Sequence, residues 1–364
     1  MNDSFQYNIH ESFMARAIEL SKGGLGRVSP NPLVGCVLVK NGDVIGEGFH
    51  EKYGESHAEV MAYKNANEDP VDSTMYVTLE PCSFEGKTPA CTKFIIENGI
   101  REVYISMKDP NPKVSGSGIL ELEKYGIQVN VGLLKDECEW LNRGYIKWIT
   151  TNKPWIIAKA AESENNFLGL DSNSTANITG RESKIHSHEL RSNVDAIMVG
   201  RQTALIDNPE LTVRHILGRN PTRVILDTNR KLPLTLNIFN DNAAETIILC
   251  SNKNFEKTST SFAKFIPVNE DDCGQLSLDS ILDTLAKEGL CKILIEGGAE
   301  LLNSFNQRGL IDEMYIYTSN NKLKNANLKN PLAINDSWDV KEKLNLGADK
   351  LIIATKKEAC LQEL

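Results

Sequence analysis

Two folding units are expected from a chain of 364 residues, which is about twice the usual length of a domain. The apolar fraction of 41% and the charged fraction of 24% are ordinary for a globular protein, and no apolar run is long enough to span a bilayer. The net charge of -9 gives no attraction for a polyanion, so we expect small-molecule substrates, no nucleic acid and no membrane partner.

The first residues lack a basic segment followed by an apolar stretch, which predicts a cytoplasmic protein with reduced thiols. The eight cysteines are therefore not expected to form disulfides. Five single cysteines are predicted to be core or incidental thiols, and Cys273 is predicted to lie in a loop. The five are Cys36, Cys138, Cys250, Cys291 and Cys360.

Helices and strands alternate in the first part of the chain. Apolar residues recur at helical spacing from Ile9 to Ile18, which predicts an opening amphipathic helix. Asn41-Gly42 separates two apolar segments and accepts the backbone angles of a tight hairpin turn. A helix from His57 through Ala66 should precede two buried strands, MYVTLE and EVYISM, which are separated by a helix that begins near Cys91. This alternation predicts an α/β fold with a partly parallel sheet.

A domain boundary is predicted between Leu141 and Pro154, where Gly, Pro and polar residues mix, giving domains of residues 1–148 and 149–364. The second domain again alternates, with helices predicted over Arg181–Val194 and Leu278–Leu290, so it is also α/β. The polar stretch from Asn320 to Lys329 is predicted to be a surface loop. The predicted strands of the second domain are WIIAKAA, DAIMVG, RVILD, TIILC, KILIEG and a final DKLIIATK that pairs back onto the sheet.

His57, Cys82 and Cys91 can converge on one zinc ion. One imidazole and two thiolates leave the fourth position open for water, which is the arrangement of catalytic zinc. Glu59, two residues from a ligand, can carry protons from water to a departing amine. The zinc-deaminase signature is H-x-E followed by P-C-x-x-C, and this chain differs from it in having eight residues rather than two between Cys82 and Cys91. A structural zinc site or coincidental cysteines are the alternatives, but a closed structural site would need a fourth ligand.

Several long motifs together resemble the bifunctional deaminase/reductase family of riboflavin biosynthesis. They are PNPLVGCVLVKNGDVIGEGFH, SHAEV, EPCSFEGKTPACT, DPNPKVSGSGI, NITGRESKIHSHELRSNVDAIMVGRQTALIDNPELTVR and IEGGAEL. The resemblance covers nearly the whole chain. It implies an N-terminal cytidine-deaminase-like α/β/α domain followed by a dihydrofolate-reductase-like α/β domain.

The resemblance also implies two reactions and two cofactors, zinc and NADPH. The first is hydrolytic deamination of 2,5-diamino-6-ribosylamino-4-pyrimidinone 5'-phosphate, and the second is reduction of its ribosyl chain to ribityl. In the deaminase domain the implied substrate contacts are Asn31, His50, Lys87, Asp109 and Asn111. On the residues alone, Asn31 can equally cap a turn between two prolines, and Lys87 can be a solvated loop charge.

In the reductase domain, the resemblance implies two further sets of residues. The NADPH contacts are Ala161, Thr203, Asp207, Thr228 and Gly298; the substrate contacts are Lys159, Thr175, Arg191, Leu211, Arg214 and Glu296. Arginine forks at Arg191 and Arg214 would suit a substrate phosphate. On the residues alone, Gly297-Gly298 can be a simple helix-start turn, Asp207 can cap a turn and Glu296 can support a loop.

Three departures from the family pattern stand at Phe84, where His is usual, at Ser163–Asn166, where Ser-x-Asp-Gly is usual, and at Asn177, where Trp is usual. We expect Phe84 to alter deamination kinetics without loss of zinc, and Asn177 to weaken NADPH binding by removing an aromatic surface.

The alternative function is a deaminase whose second domain only binds ligand or stabilises the assembly. A nucleic-acid-editing deaminase is disfavoured by the acidic charge. The sequence is compatible with a homo-oligomer.

Overall fold

The computed structural model describes residues 3–84, 89–112, 114–171, 178–256 and 263–357, with side chains from Ile9 onward in the first helix. The chain forms two compact units that divide between Asn152 and Lys153. No helix in the described ranges is both long and apolar enough to cross a membrane.

The first unit alternates helices and strands, as the sequence predicts. Its elements are α1 (Asp3–Ser21), β1 (Gly35–Lys40), β2 (Asp43–Phe49), α2 (Ala58–Lys64), β3 (Thr74–Leu79), α3 (Cys91–Glu97), β4 (Glu102–Met107), α4 (Ser117–Lys124), β5 (Gln128–Val131) and α5 (Lys135–Thr151). The hairpin between β1 and β2 turns at Asn41 and Gly42, which both have positive φ, 54° and 89°. The predicted tight turn is therefore confirmed.

A five-stranded sheet of order β2-β1-β3-β4-β5 is the centre of this unit. Strand β1 pairs antiparallel with β2 and β3, whereas β3, β4 and β5 are parallel, so the predicted partly parallel sheet is confirmed. Helix α1 packs on the face that carries Val37 and Val39. Gly46 and Gly48 of β2 face α2, where a Cβ atom would lie 2.4 and 2.3 Å from backbone atoms of Ala62. The sheet therefore lies between α1 and α2.

Helix α5 runs into the stretch in which the domain boundary is predicted. The helix continues through Thr151, so most of the stretch predicted as a mixed boundary segment is helical. The reason is that Cys138 and Ile146 follow helical spacing and are buried, so their packing outweighs the cost of Gly144 within the helix.

The second unit contains a larger sheet. Its elements are β6 (Trp155–Glu162), β7 (Phe167–Gly169), α6 (Arg181–Ser192), β8 (Ala196–Gly200), α7 (Arg201–Asp207), β9 (Thr222–Leu226), α8 (Asn237–Asn240), β10 (Thr246–Ser251), β11 (Lys264–Val268), α9 (Leu278–Lys287), β12 (Lys292–Glu296), α10 (Ala299–Gln307), β13 (Glu313–Thr318), β14 (Leu328–Lys329), β15 (Trp338–Leu346) and β16 (Asp349–Lys356). The order in the sheet is β11-β10-β9-β8-β12-β6-β13-β16-β15. In this spatial order, the seven strands from β11 through β13 all run parallel to one another. Strand β16 pairs antiparallel with β13, and β15 pairs antiparallel with β16.

Alternate residues of the buried strands supply two cores on opposite faces of this sheet. Ile156 and Met198 belong to one core, and Ile157 and Ile197 belong to the other. Strands buried on both faces explain the nearly continuous apolar runs in the sequence. Strand β16 pairs with β13 as predicted. The stretch predicted as a surface loop from Asn320 ends in β14, because Leu328 and Lys329 pair with β7.

The single cysteines are placed largely as predicted. Cys36, Cys138, Cys250 and Cys291 are buried, and Cys273 is exposed in a turn. Cys360 lies outside the described residues.

Candidate active sites

The proposed zinc ligands meet at the first turns of two helices. His57 precedes α2, Cys91 is the first residue of α3, and Cys82 follows β3. Their ligand atoms all lie within 4.8 Å of one another, with Nδ1 of His57 3.2 Å from Sγ of Cys91 and 3.6 Å from Sγ of Cys82. Tetrahedral bonds of about 2.0–2.3 Å place such atoms about 3.5 Å apart, so the three residues fit zinc.

Electrostatics in this cluster favours a thiolate. A hydrogen bond from the side chain of Cys91 is the largest cause that lowers the pKa of Cys82, to about 4. The backbone N–H of Cys91 also donates to Sγ of Cys82 at 3.4 Å. In the described parts of the chain, no fourth His, Cys, Asp or Glu joins the group, which agrees with an open catalytic position.

Glu59 lies in the first turn of α2, next to the ligand cluster, and is 3% exposed. Burial raises the pKa of its carboxyl above the usual value. Its Oε2 atom is buried and has no hydrogen-bond partner among the described residues. A buried carboxylate oxygen without a partner is costly, so this atom is placed for a ligand or a proton.

A cavity of about 340 Å³ opens onto this cluster. Four of the implied substrate contacts line it together with His57, Glu59 and Cys82; they are Asn31, His50, Asp109 and Asn111. Phe84 also lines the cavity and is half exposed, whereas Lys87 lies outside the described residues.

Hydrogen bonds orient two of these polar side chains. Nδ2 of Asn31 lies 3.1 Å from Nε2 of His50, and Nδ1 of His50 lies 3.1 Å from the Ser56 carbonyl oxygen. The ring of His50 is therefore held at both nitrogens. Burial lowers the pKa of His50, so the neutral ring is favoured.

Three residues that sequence reasoning missed contribute to this cavity. Tyr145 and Trp148 come from α5, and Glu80 directly follows β3. The two carboxylate oxygens of Glu80 accept backbone N–H groups from the loop before α4 and from its first turn, with Asp109 at 3.2 Å and Gly118 at 2.9 Å among the donors. The helical spacing of the apolar residues in α5 is the sequence pattern that could have identified Tyr145 and Trp148. A Gly within the helix and a Pro just beyond it obscure that pattern.

A second cavity, of about 440 Å³, lies in the second unit at the carboxyl ends of β6, β8 and β12. This edge of a parallel sheet is where ligands commonly bind. Eight of the implied reductase residues line it: Lys159, Ala161, Arg191, Thr203, Asp207, Leu211, Glu296 and Gly298.

Two of the implied residues that the structure describes are not among its lining. Thr228 follows β9, and Arg214 is exposed and pairs with Glu210 at 2.6 Å. Thr175 lies outside the described residues, as does Asn177.

Arg191 and Glu296 form a two-point ion pair in this cavity. Nε of Arg191 donates to Oε1 of Glu296 at 2.9 Å, and Nη2 donates to Oε2 at 2.6 Å. Burial by itself would raise the pKa of Glu296, but the charge and hydrogen bonds of Arg191 lower that pKa to about 2. The arginine fork is therefore directed at Glu296, and its Nη1 donates to the Thr212 carbonyl oxygen. Lys159 stands opposite Glu296 in the sheet register, and burial lowers its pKa.

The turn between β12 and α10 fits a phosphate-bearing cofactor. Gly297 and Gly298 have φ of 81° and 74°, and a Cβ on Gly298 would lie 3.1 Å from Oγ1 of Thr203. Only glycine takes such angles readily while letting a ligand approach the backbone. Asn166, at one departure from the family pattern, has φ of 63°, a left-handed conformation that Asn tolerates.

Comparison with known proteins covers both units. The model of the cytidine and deoxycytidylate deaminase zinc-binding region matches residues 7–107, and the model of the RibD C-terminal domain matches residues 154–319. Riboflavin biosynthesis protein RibD of Bacillus amyloliquefaciens is 38% identical over 311 residues, which cover 85% of this chain and 84% of that protein. RibD of Aquifex aeolicus is 37% identical, with 85% and 86% covered.

Two solved structures are similar over nearly their full length. The first is a diaminohydroxyphosphoribosylaminopyrimidine deaminase/5-amino-6-(5-phosphoribosylamino)uracil reductase of Thermotoga maritima, with a TM-score of 0.86, 34% identity and coverage of 96% of this chain and 99% of that one. The second is Acinetobacter baumannii RibD, with a TM-score of 0.85, 31% identity and the same coverage.

These matches confirm the predicted fold class, a cytidine-deaminase-like domain followed by a dihydrofolate-reductase-like domain. They also favour two activities over the alternative of a deaminase with a non-catalytic second domain, because both units match. The chain belongs to the RibD family of riboflavin biosynthesis, whose members are bifunctional enzymes that combine a zinc-dependent deaminase with a reductase.

Proposed function

We propose that the first unit deaminates 2,5-diamino-6-ribosylamino-4-pyrimidinone 5'-phosphate and that the second unit reduces the ribosyl chain of the product to ribityl with NADPH. The observation that carries this proposal is the buried Glu59 carboxylate beside the His57, Cys82 and Cys91 cluster, at a cavity that Glu59, His57 and Cys82 line. The Thermotoga maritima enzyme, whose name states both reactions, supports the choice of substrates.

Deamination replaces a ring amino group by oxygen from water, and the nitrogen leaves as ammonia. Zinc, when bound by the three ligands, supplies the Lewis acidity that lets water ionise near neutral pH. Glu59 accepts the proton of the attacking water at Oε2 and returns it to the leaving nitrogen. Its raised pKa suits a group that must both take up and release a proton.

The remaining residues of the first cavity hold the pyrimidine. Asn31, which is held by His50, offers its side-chain amide to the polar edge of the pyrimidine, and the His50 ring lines the same cavity. Asp109 and Asn111 come from the loop after β4. Lys87 is proposed to bind the substrate phosphate. Phe84 adds an apolar surface to the same cavity.

In the second unit, the Gly297-Gly298 turn and the start of α10 are proposed to receive the phosphates of NADPH, with Ala161, Thr203 and Asp207 along the nicotinamide side. Thr228 would contact the cofactor farther along the same edge of the sheet. Hydride transfer needs the cofactor and sugar to be aligned rather than covalent help from the protein.

The substrate of the reduction is proposed to lie among a set of polar and apolar residues opposite the cofactor. The set is Lys159, Thr175, Arg191, Leu211, Arg214 and Glu296. Reduction of the ring-opened imine adds a hydride to carbon and a proton to nitrogen, and Lys159 is a cation of this cavity that can supply the proton. We further propose that the enzyme acts in the cytoplasm, on small phosphoribosyl pyrimidines and not on nucleic acid.

A coupled assay tests this function. Zinc-loaded protein is given the diaminopyrimidine phosphate, and ammonia release and NADPH consumption are followed separately. The variant Glu59→Gln should keep its zinc, lose deamination and still oxidise NADPH when the deaminated substrate is supplied. A Glu59→Gln protein that retains zinc and deaminates at the wild-type rate would show that the proton-carrier role is wrong.

A further inference from the structure

Helix α5 presents Asn142 and Tyr145 on one face, because residues three apart in a helix are neighbours. Asn142 is 2% exposed, and Tyr145 lines the deaminase cavity. Each of them makes a hydrogen bond to a different wall of that cavity, one to the segment that carries Asn31 and the other to Asp109.

Asn142 clamps the first wall through the backbone of Leu33. Its Oδ1 accepts the Leu33 N–H at 2.8 Å, and its Nδ2 donates to the Leu33 carbonyl at 3.0 Å. One side-chain amide thus satisfies both backbone groups of a buried residue, as a neighbouring strand would do. Leu33 lies two residues after Asn31, so the clamp fixes the loop from which the Asn31 amide meets His50.

Tyr145 fixes the second wall through the side chain of Asp109. The Tyr145 hydroxyl donates to Oδ1 of Asp109 at 3.0 Å, and the Asn111 N–H donates to the same oxygen at 2.9 Å. Within the described parts of the chain, no hydrogen bond to Oδ2 is seen. The two bonds on Oδ1 therefore set the rotation of the carboxylate and leave Oδ2 for a ligand.

We propose that Asn142 and Tyr145 are positioning residues of the deaminase, which hold Asn31 and Asp109 at a fixed separation for the polar edge of an aminopyrimidine. This rests on the proposed function, in which Asn31 and Asp109 contact the substrate. Neither residue touches the reacting atoms; Asn142 acts through Leu33 and Tyr145 acts through Asp109.

Steady-state deamination by the full-length, zinc-loaded protein tests the proposal. Tyr145→Phe removes only the hydroxyl, and the loss of a hydrogen bond to a carboxylate should raise KM about tenfold, with kcat and zinc content unchanged. Tyr125→Phe is the matched control, since Tyr125 lies in the same unit but is 61% exposed. Its KM should equal that of the wild type.

A double-mutant cycle separates positioning from general support of the fold. In an Asp109→Ala background, Tyr145→Phe should cause no further rise in KM, because the group it orients is gone. Likewise, Asn142→Ala should raise KM when it is the only substitution. It should cause no further rise in an Asn31→Ala background, because the group that Asn142 positions is then absent.

Three results would overturn the proposal. One is a Tyr145→Phe KM equal to that of the wild type. Another is an equal rise in KM with and without Asp109, accompanied by a lower melting temperature, which would mean structural support alone. The third is a zinc-loaded wild-type protein that does not deaminate the substrate; that result would reject the proposed function and this inference together.

Discussion

The side chains of Arg191 and Glu296 meet as a two-point ion pair, although 105 residues separate them in the chain. Arg191 comes from the last turn of α6 and Glu296 from the end of β12, and the two side chains are 14% and 8% exposed. The pair joins the helix to the strand at the cavity proposed to bind NADPH and the ribosyl substrate.

Replacement of Glu296 by Gln should destabilise the second unit. The change leaves the Arg191 guanidinium buried without its counter-charge, and breaking such a pair costs roughly 3–5 kcal/mol. Calorimetry of the full-length variant should show a transition at lower temperature, and reduction should fall while deamination is unchanged. Glu300→Gln at the same cavity is the control, and an identical transition in both variants would contradict the expected role of the pair.

The same pair should make the protein sensitive to acid. Because Arg191 lowers the folded-state pKa of Glu296 from 4.5 to about 2, the stabilisation is fully present above about pH 4.5 and is lost as the pH falls toward 2. Melting temperatures measured across this range should fall less steeply for Glu296→Gln than for the wild type. If the two curves of melting temperature against pH are parallel, other groups determine how stability falls in acid.

Removal of one zinc ligand should abolish metal binding and deamination together. Cys91→Ser replaces a thiolate by a hydroxyl that remains protonated at neutral pH and binds zinc poorly. Elemental analysis should find little zinc, and reduction of the deaminated substrate should continue. Cys138→Ser, which removes another buried thiol of the same unit, should keep both zinc and activity. Full zinc occupancy in Cys91→Ser would disprove the assigned ligand set.

A side chain at Gly298 should weaken NADPH binding. The residue has φ of 74°, and a Cβ would lie 3.1 Å from Oγ1 of Thr203, so alanine would strain the turn and narrow the proposed phosphate site. Fluorescence titration of Gly298→Ala should give a Kd about tenfold higher, which is about 1.4 kcal/mol.

Gly274→Ala is the control for this strain, since Gly274 has φ of 75° but a Cβ added there would have no described atom within 4 Å. Equal NADPH affinity for Gly298→Ala and Gly274→Ala would show that the turn after β12 does not hold the cofactor.

Replacement of Phe84 by His should change deamination kinetics. The half-exposed ring lines the cavity beside Cys82, so an imidazole there would add a polar group that can hydrogen-bond the substrate. Steady-state rates for Phe84→His and wild type, at equal zinc content, should differ in KM or kcat. Indistinguishable kinetics would show that this position is dispensable.

Much of the fold was predictable from local patterns. The hairpin at Asn41-Gly42 and the strands of both sheets follow from turn chemistry and from apolar runs, which act over a few residues. The helical conformation of α5 is not predicted from the sequence, because a Gly within the helix and a Pro just beyond it obscure its apolar spacing. The site residues supplied by that helix were therefore missed as well.

The sequence by itself determined the zinc chemistry, since the identity and spacing of His57, Cys82 and Cys91 already limit the metal and the open position. Tertiary structure decided which partners those residues meet. The Asn142 clamp on Leu33 spans 109 positions, and the Arg191 fork is directed at Glu296. Such contacts depend on how distant segments pack, so no local pattern in the sequence encodes them.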